Sequence, residues 1–212
     1  MVETIAGVTI PDTALVRDIT GFVREHEDDL LFDHSRRVFL FGALQGRRRG
    51  LEPDLELLYA GAMFHDLGLT EAYRGSQLRF EVDGANAARA FLTEHGVTAA
   101  DAQSVWLGIA LHTTPGVPEF LAPEVALVTA GVETDVLGID RELLESADLD
   151  RVVAAHPRPR FKEQILRRFA DGNLHRPDST FGNVNADVLE HYDPSFTRSD
   201  FVEIIRANSW PE

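Results

Sequence analysis

The sequence predicts a mostly helical chain, and three observations lead to this prediction. Apolar residues recur at helical spacing in most segments, as Leu55 and Tyr59 do in one of them. Residues that start and stop helices flank these segments, here Pro53–Asp54 before and Gly68 after. Only Val8–Pro11 is short and β-branched enough to indicate an extended piece. We therefore expect helices joined by short polar connections, without an internal domain linker.

Composition limits the chemistry that this chain can carry out. Its 212 residues are enough for one domain with a hydrophobic core. The absence of cysteine excludes disulfides, thiol catalysis and cysteine-zinc sites, so any metal must be held by His, Asp or Glu. Such ligands suit zinc, iron, manganese or nickel, and the sequence does not choose among these metals.

Charge and hydropathy limit the partners. The formal net charge of -15 disfavours DNA and RNA, and most of this charge serves solubility. No apolar run is long enough to span a membrane, and the N-terminus lacks the features of a signal peptide. We expect a cytoplasmic protein that acts on a small molecule and binds neither nucleic acid nor membrane.

The first helix is predicted to start after Asp12 or Thr13 and to run to about His26. The acidic stretch Glu25–Asp29 follows, and its charges are expected to be solvated.

Asp33 is the predicted N-cap of the second helix, in which His34 points inward one turn before Val38. Arg47–Arg49 suit the negative end of the helix dipole, and Gly50 ends the helix. We interpret this arginine run as structural and not as a phosphate site.

The most informative stretch is LLYAGAMFHDLGLT, residues 57–70, an apolar helix whose last turn carries His65 and Asp66. An imidazole and a carboxylate are costly to bury without a partner, and a divalent metal would satisfy both. For this pair alone, a polar helix end is an equally good explanation.

Three later segments place a polar residue beside apolar ones. Glu81 opens a small-residue helix to Leu92, where it either favours the helix dipole or faces a site. His112 ends the apolar stripe of the helix 99–112, where a core histidine bonded to a carbonyl is the simpler explanation. Asp135 ends a similar stripe in the helix 123–137, or caps a neighbouring helix.

Four predicted helices therefore each end or begin with a polar residue on the face that should be buried. These residues are His34, His65 with Asp66, His112 and Asp135. One such residue has an ordinary explanation, but several together favour a shared metal, because each is a poor choice for packing.

The C-terminal third is less informative. Short helices are predicted at 140–155, 161–169 and 200–208, and 173–185 is a polar loop from which His175 and Arg176 could reach a site. Apolar helix faces in this region could support a homodimer.

The sequence resembles the HD-domain superfamily of metal-dependent hydrolases over residues 30–140, and two segments show this most clearly. DHSRRVF is similar to the helix of its first histidine, and LLYAGAMFHDLG to the helix that carries the His-Asp pair. FEVDGA, IALHTTP and ETDVLG most resemble the cyanamide hydratases within that superfamily. The resemblance implies an all-α HD-domain helical bundle, spanning 1–212 as a single domain with an N-terminal helix and a C-terminal helical extension. It also implies one metal ion, zinc, held between helix ends by His34, His65, Asp66 and Asp135.

The chain departs from the two-metal HD phosphohydrolases at Glu81, where those enzymes carry a further histidine. The resemblance therefore leaves His112 as a pocket residue, and we interpret it as a proton shuttle with a pKa near the working pH. Glu81 is expected to orient water or substrate beside Asp66, and Phe80 and Thr113 are expected to contact the substrate.

The implied reaction is addition of metal-activated water to the nitrile carbon of a small substrate, as in the conversion of cyanamide to urea. One alternative is a phosphohydrolase of nucleotides or other phosphate esters, which needs cationic groups. The available arginines are Arg36, Arg37, Arg74 and Arg79, without a diagnostic spacing. A second alternative, a binding module on a degenerate fold, is disfavoured because every expected ligand is present.

Overall fold

The computed structural model describes residues 3–210, and in this range helices dominate. The helices are α1 (Ala14–His26), α2 (Asp29–Arg49), α3 (Leu55–Phe64), α4 (Phe80–Glu94), α5 (Ala99–Leu111), α6 (Pro123–Val132), α7 (Ser146–Ala155), α8 (Phe161–Asn173), α9 (Asn185–Tyr192) and α10 (Phe201–Ala207). The predicted all-α fold is confirmed. Among the described residues, no helix is both long and apolar enough to cross a membrane.

A small hairpin precedes the helices. Its strands are β1 (Thr4–Ile5) and β2 (Val8–Thr9), which pair in antiparallel register with Ile5 opposite Val8. Ala6 and Gly7 form the turn with φ angles of 51° and 73°, as a tight hairpin turn requires. The extended piece that the β-branched residues predict is therefore one strand of this hairpin.

Helices α2, α3, α5 and α6 pack against one another and form the centre of the core, with α4 covering α5. Small residues allow α2 and α6 to approach closely. A Cβ atom at Gly131 would lie 2.2 Å from the Val38 carbonyl oxygen, and one at Gly42 would lie 2.6 Å from the Leu127 carbonyl oxygen. Because this contact allows no side chain at either glycine, the two helices hold their polar ends in fixed relative positions.

Helix α2 begins earlier than the sequence predicts. Asp28 is its N-cap and accepts a hydrogen bond from the backbone N–H of Leu31 at 3.1 Å, so the predicted Asp33 cap is wrong. Both aspartates are good local caps, but starting at Asp29 buries the Leu31 side chain against Phe161. His34 consequently lies in the second turn of α2.

The functional end of α3 also differs from the prediction. The helix ends at Phe64, and a 3₁₀ turn (Leu67–Leu69) follows, so Gly68 does not stop the helix. A Cβ at Gly68 would lie 2.1 Å from the Phe80 carbonyl oxygen, which explains the glycine by close packing against α4. Helix α6 similarly continues into one π turn at Glu133–Leu137, the segment that carries the predicted ligand Asp135.

The C-terminal third is more helical than predicted. Helix α8 continues to Asn173, and the sequence offered no prediction for α9. Helix α10 begins after Asp200, which caps it, as predicted for residues 200–208. All described side chains of α10 are exposed, including the apolar Phe201 and Ile205.

Candidate metal centre

His34, His65 and Asp66 converge in the interior of the protein. His34 comes from α2, His65 caps the C-terminus of α3, and Asp66 follows it directly. The Nε2 atoms of the two histidines lie 3.1 Å apart. Asp66 Oδ2 lies 3.6 Å from Nε2 of His34 and 3.3 Å from Nε2 of His65. One atom from each residue can therefore contact a single ion.

The hydrogen-bond partners of the histidines determine which ring nitrogens carry protons. His65 Nδ1 lies 2.8 Å from the Ala62 carbonyl oxygen, which can only accept a hydrogen bond. His34 Nδ1 lies 2.7 Å from Asp135 Oδ2, which also accepts. In the neutral rings the proton is therefore on Nδ1, and both Nε2 atoms present lone pairs to each other.

His112 follows the same pattern on the far side of Asp66. Its Nδ1 donates to the Ile109 carbonyl oxygen at 2.6 Å, and its Nε2 lies 3.7 Å from Asp66 Oδ1. Burial and the neighbouring His65 lower the pKa of His112 to about 4. The ring is thus neutral at pH 7 and presents a lone pair, whereas the sequence predicts a pKa near the working pH.

Asp66 and His112 contribute acceptor atoms that have no hydrogen-bond donor among the described residues. Both carboxylate oxygens of Asp66 and the Nε2 atom of His112 are buried and have no hydrogen-bond partner within residues 3–210. A buried carboxylate left in this state is costly, whereas a divalent cation would satisfy it together with the imidazole nitrogens. The residues present therefore fit a divalent metal ion.

The pKa shifts of His65 and Asp66 also indicate surroundings that favour positive charge. Burial lowers the pKa of His65, but the adjacent Asp66 carboxylate raises it above its ordinary value overall. Burial raises the pKa of Asp66, yet His65 and His34 hold it well below its usual range. Asp66 is therefore ionised, and its surroundings favour a cation beside it.

Asp135, the fourth predicted ligand, lies one imidazole ring away from this cluster. Its carboxylate accepts from His34 Nδ1 and from Arg37, whose Nε and Nη2 atoms lie 3.0 and 2.9 Å away. Arg158 Nε lies 2.9 Å from Oδ1, although poorly aligned for a hydrogen bond. In this geometry Asp135 orients His34, and its direct contact with the metal stays a prediction.

Glu81 lies in the first turn of α4 with its side chain buried, so it is compatible with both roles that the sequence left open. Its Oε1 atom accepts hydrogen bonds from Thr113 Oγ1 at 2.5 Å, Arg79 Nη2 at 2.9 Å and Asn185 Nδ2 at 3.1 Å. Burial raises the pKa of Glu81, but Arg79 and His112 lower it overall. This carboxylate joins the start of α4 to the end of α5 and to α9. Sequence reasoning missed Asn185, since nothing local to it indicates the contact.

A cavity of about 200 Å³ opens beside His112. Its walls come from the end of α5, the π turn, α8 and α9. The lining residues are His112, Thr113, Pro115, Val132, Glu133, Val136, Leu137, Leu166, Phe169, Val184, Asn185 and Val188. Phe80 is fully buried and is not one of them, because it packs behind Phe169 with ring centroids 5.8 Å apart. Of the two predicted substrate contacts, only Thr113 therefore lines the cavity.

The arginines available for phosphate binding are all paired with carboxylates. The pairs are Arg36 with Glu3, Arg37 with Asp135, Arg74 with Glu71, and Arg79 with Glu81. Arg176 is buried and donates to Asp83 and to the Gly68 carbonyl oxygen at 2.7 Å. It therefore supports the turn that follows Asp66, while its neighbour His175 is not part of the cluster.

Glu27 corrects the expectation that the acidic stretch 25–29 is solvated. Its side chain is buried, with Oε1 unpartnered and Oε2 3.4 Å from Ser35 Oγ. Burial, helped by the nearby Asp66 charge, raises the pKa of Glu27 well above its ordinary value. A further buried acid thus lies near the cluster, and its neighbours Glu25 and Asp28, which are exposed, do not indicate it.

Comparison with known families identifies the fold that holds these residues. Residues 31–168, more than half of the chain, match the sequence model of the HD domain. No curated protein showed significant similarity to the chain. The matched range includes His34, His65, Asp66, His112 and Asp135. The chain belongs to the HD-domain family, whose members bind divalent metal ions and have metal-dependent, hydrolase-type functions.

Proposed function

We propose that this protein is a metal-dependent enzyme that adds water to a small uncharged substrate of the nitrile type, cyanamide being the simplest. One observation supports this choice above others. The cavity beside the cluster is lined mainly by apolar side chains, and the arginines near the cluster are committed to carboxylates. An uncharged substrate needs no cationic groups for binding, whereas a phosphate ester does.

The residues for metal binding are His34, His65 and Asp66, with His112 and Asp135 next to them. A divalent ion bound there would act as a Lewis acid and would lower the pKa of water to about 7. Zinc suits this set of nitrogen and oxygen ligands, as do iron, manganese and nickel.

The surrounding residues prepare this site for the reaction. Asp135 and the Ala62 carbonyl oxygen fix the orientation of the His34 and His65 rings, so that both Nε2 atoms face inward. His112 is adjacent both to Asp66 and to the cavity, and we propose that it contacts the reacting end of the substrate. A nitrile must gain a proton on nitrogen after water adds to its carbon, and this position is suited to guiding that proton.

Glu81 contributes by positioning. Thr113 and Asn185 both donate to it, which holds a wall of the cavity against α4. Because these partners saturate Oε1, we assign Glu81 to holding Thr113 and Asn185 in place beside the reacting group.

Glu133 also disfavours the phosphohydrolase alternative. Its side chain lines the cavity, and burial raises its pKa. When ionised, this carboxylate would repel an anionic phosphate ester in the cavity.

The test combines metal analysis with two assays on the same purified protein. We expect about one divalent metal per chain and direct formation of urea from cyanamide. Phosphate release from a panel of nucleotides, without urea, would replace this proposal with the phosphohydrolase. His65→Ala should lose both metal and activity, whereas His95→Ala, which changes a partly exposed histidine paired with Asp18, is the matched control and should keep both.

A further inference from the structure

We infer that the substrate carries an apolar substituent that occupies the cavity between the π turn, α8 and α9. This inference rests on the proposed function and specifies its substrate class. It would exclude cyanamide itself as the preferred substrate and favour a nitrile with a short aliphatic chain or a single ring.

The apolar side chains that line the cavity support this inference. Val132 and Val136 come from α6 and its π turn, Phe169 from α8, Val188 from α9 and Val184 from the position just before α9. Apolar walls on three sides favour an apolar occupant, because each buried CH₂ group stabilises binding by about 0.8 kcal/mol.

The polar side chains of the cavity are few, and the donors among them are engaged. Thr113 and Asn185 donate to Glu81, and His112 donates through Nδ1 to the Ile109 carbonyl oxygen. The acceptors that stay available are His112 Nε2 and the Glu133 carboxyl group, so over most of the apolar walls the amino group of cyanamide would lose its hydrogen bonds to water without replacement. An alkyl or aryl group loses none.

The size of the cavity limits the substituent. Its volume is about 200 Å³. An apolar cavity of about 150 Å³ in another protein takes up benzene, and sites for drug-sized ligands begin at about 300 Å³. A group of benzene size or an unbranched chain of a few carbons fits this space, and a nucleoside does not.

The direction of the substrate follows from the position of His112. This ring lies between the cavity and Asp66, with Nε2 directed to the carboxylate. The nitrile carbon would therefore lie at the His112 end, and the substituent would extend toward Val184 and Val188. Two helices outside the predicted core 30–140, α8 and α9, thus select the substrate.

The experiment uses a homologous series of straight-chain nitriles for turnover and the matching primary amides, their hydration products, for equilibrium binding to the metal-loaded protein. Amide affinity should rise about fourfold per CH₂, the equivalent of about 0.8 kcal/mol, and should stop rising once the cavity is full. The kcat/KM values of the nitriles should follow the same order, with cyanamide below the best of them.

Two variants of one wall residue test the location. Val188→Phe fills the cavity and should shift the optimum to shorter chains, whereas Val188→Ala enlarges it and should shift the optimum to longer ones. The opposite directions keep the test informative if one variant folds poorly. Val202→Phe, the same change on the exposed helix α10, should leave the series unchanged.

The outcomes separate this inference from the proposed function. Urea formation from cyanamide with no dependence of amide binding on chain length would overturn the inference and leave the hydratase in place. A clear chain-length dependence of amide binding, moved by the Val188 variants, without turnover of any nitrile would support the apolar subsite and refute the reaction. Absence of amide binding at every chain length would overturn the inference.

Discussion

Asp66 and Asp135 are both buried and ionised, yet their surroundings are opposite. Asp135 accepts hydrogen bonds from His34 and Arg37, with Arg158 beside it. Among the described residues Asp66 has no hydrogen-bond partner, and the groups closest to it are the imidazole Nε2 atoms of His34 and His65. A saturated carboxylate is part of the scaffold, whereas an ionised carboxylate without donors is arranged for a ligand that the protein must acquire. This contrast leads to separate predictions for Asp66, for Asp135 and for the residues near them.

The largest effect is expected at Asp66. Asp66→Asn should abolish metal binding and activity, because it removes the only anionic ligand of the three-residue cluster. In metal-free protein the same change should destabilise the fold less than Asp135→Asn does, since Asp66 lacks the buried arginine partner that Asp135 has. Elemental analysis and thermal unfolding with chelator measure both. A destabilisation as large as that of Asp135→Asn would contradict the contrast.

His112→Ala is expected to have the next largest effect. The variant should retain the metal and lose turnover by about 10²- to 10⁴-fold, the usual contribution of a group that guides a proton. Metal content and kcat, measured on the same preparation, separate this role from ligation. Loss of the metal in His112→Ala would instead place this residue among the ligands.

Asp135→Asn should weaken metal binding without abolishing it, by about 10- to 100-fold, because an orienting partner of a histidine ligand is lost. It should also destabilise the fold by about 3–5 kcal/mol, since Arg37 would remain buried without its counter-charge. Metal titration and denaturant unfolding measure the two effects. Asp140→Asn is the matched control, because Asp140 also pairs with two arginines, Arg48 and Arg49, but at the surface. Asp140→Asn should lower the free energy of unfolding by no more than about 1 kcal/mol. Complete loss of metal in Asp135→Asn would instead identify Asp135 as a direct ligand.

The smallest effect is expected at Glu27, another buried acid, whose carboxyl group has few donors around it. Burial and the charge of Asp66 raise the pKa of Glu27 above its ordinary value near 4.5, so the folded protein holds a proton that the unfolded chain releases. The free energy of unfolding therefore decreases with rising pH, from about pH 4.5 up to the raised pKa, by about 1.4 kcal/mol per pH unit. Glu27→Gln should match the unmodified protein at low pH and exceed its stability above this range. Unfolding of the metal-free proteins across pH tests this, and parallel curves would show that Glu27 is not the cause.

The helices of this protein and the approximate location of its site were predictable because their signals are local. Apolar spacing, the Thr13 and Asp54 caps and Gly50 are read within one or two turns of helix. The same spacing indicates which polar residues fall on buried faces, and this criterion selected His34, His65 and Asp66. All three residues lie in the range 31–168 that matches the HD domain.

Only the tertiary structure showed which of these residues cap helices and which buried acids have hydrogen-bond donors. Asp28 and Asp33 are equivalent caps in sequence, and the burial of Leu31 against Phe161 selects the first. The donors to the Asp135 carboxylate, His34 and Arg37, are about 100 positions away in the chain, so no local pattern could show that this acid has donors while Asp66 does not.

The cavity beside His112 also could not be predicted from local patterns. Its walls unite α5, the π turn, α8 and α9, and Asn185 contacts Glu81 from 104 positions away in the chain. The sequence by itself determined most of the helices, several of their caps and the polar residues that end the apolar stripes, because hydrophobic periodicity and capping act over a few residues. Which of those residues lack a partner, and what surrounds them, depends on contacts between distant segments, and those exist only once the helices have packed.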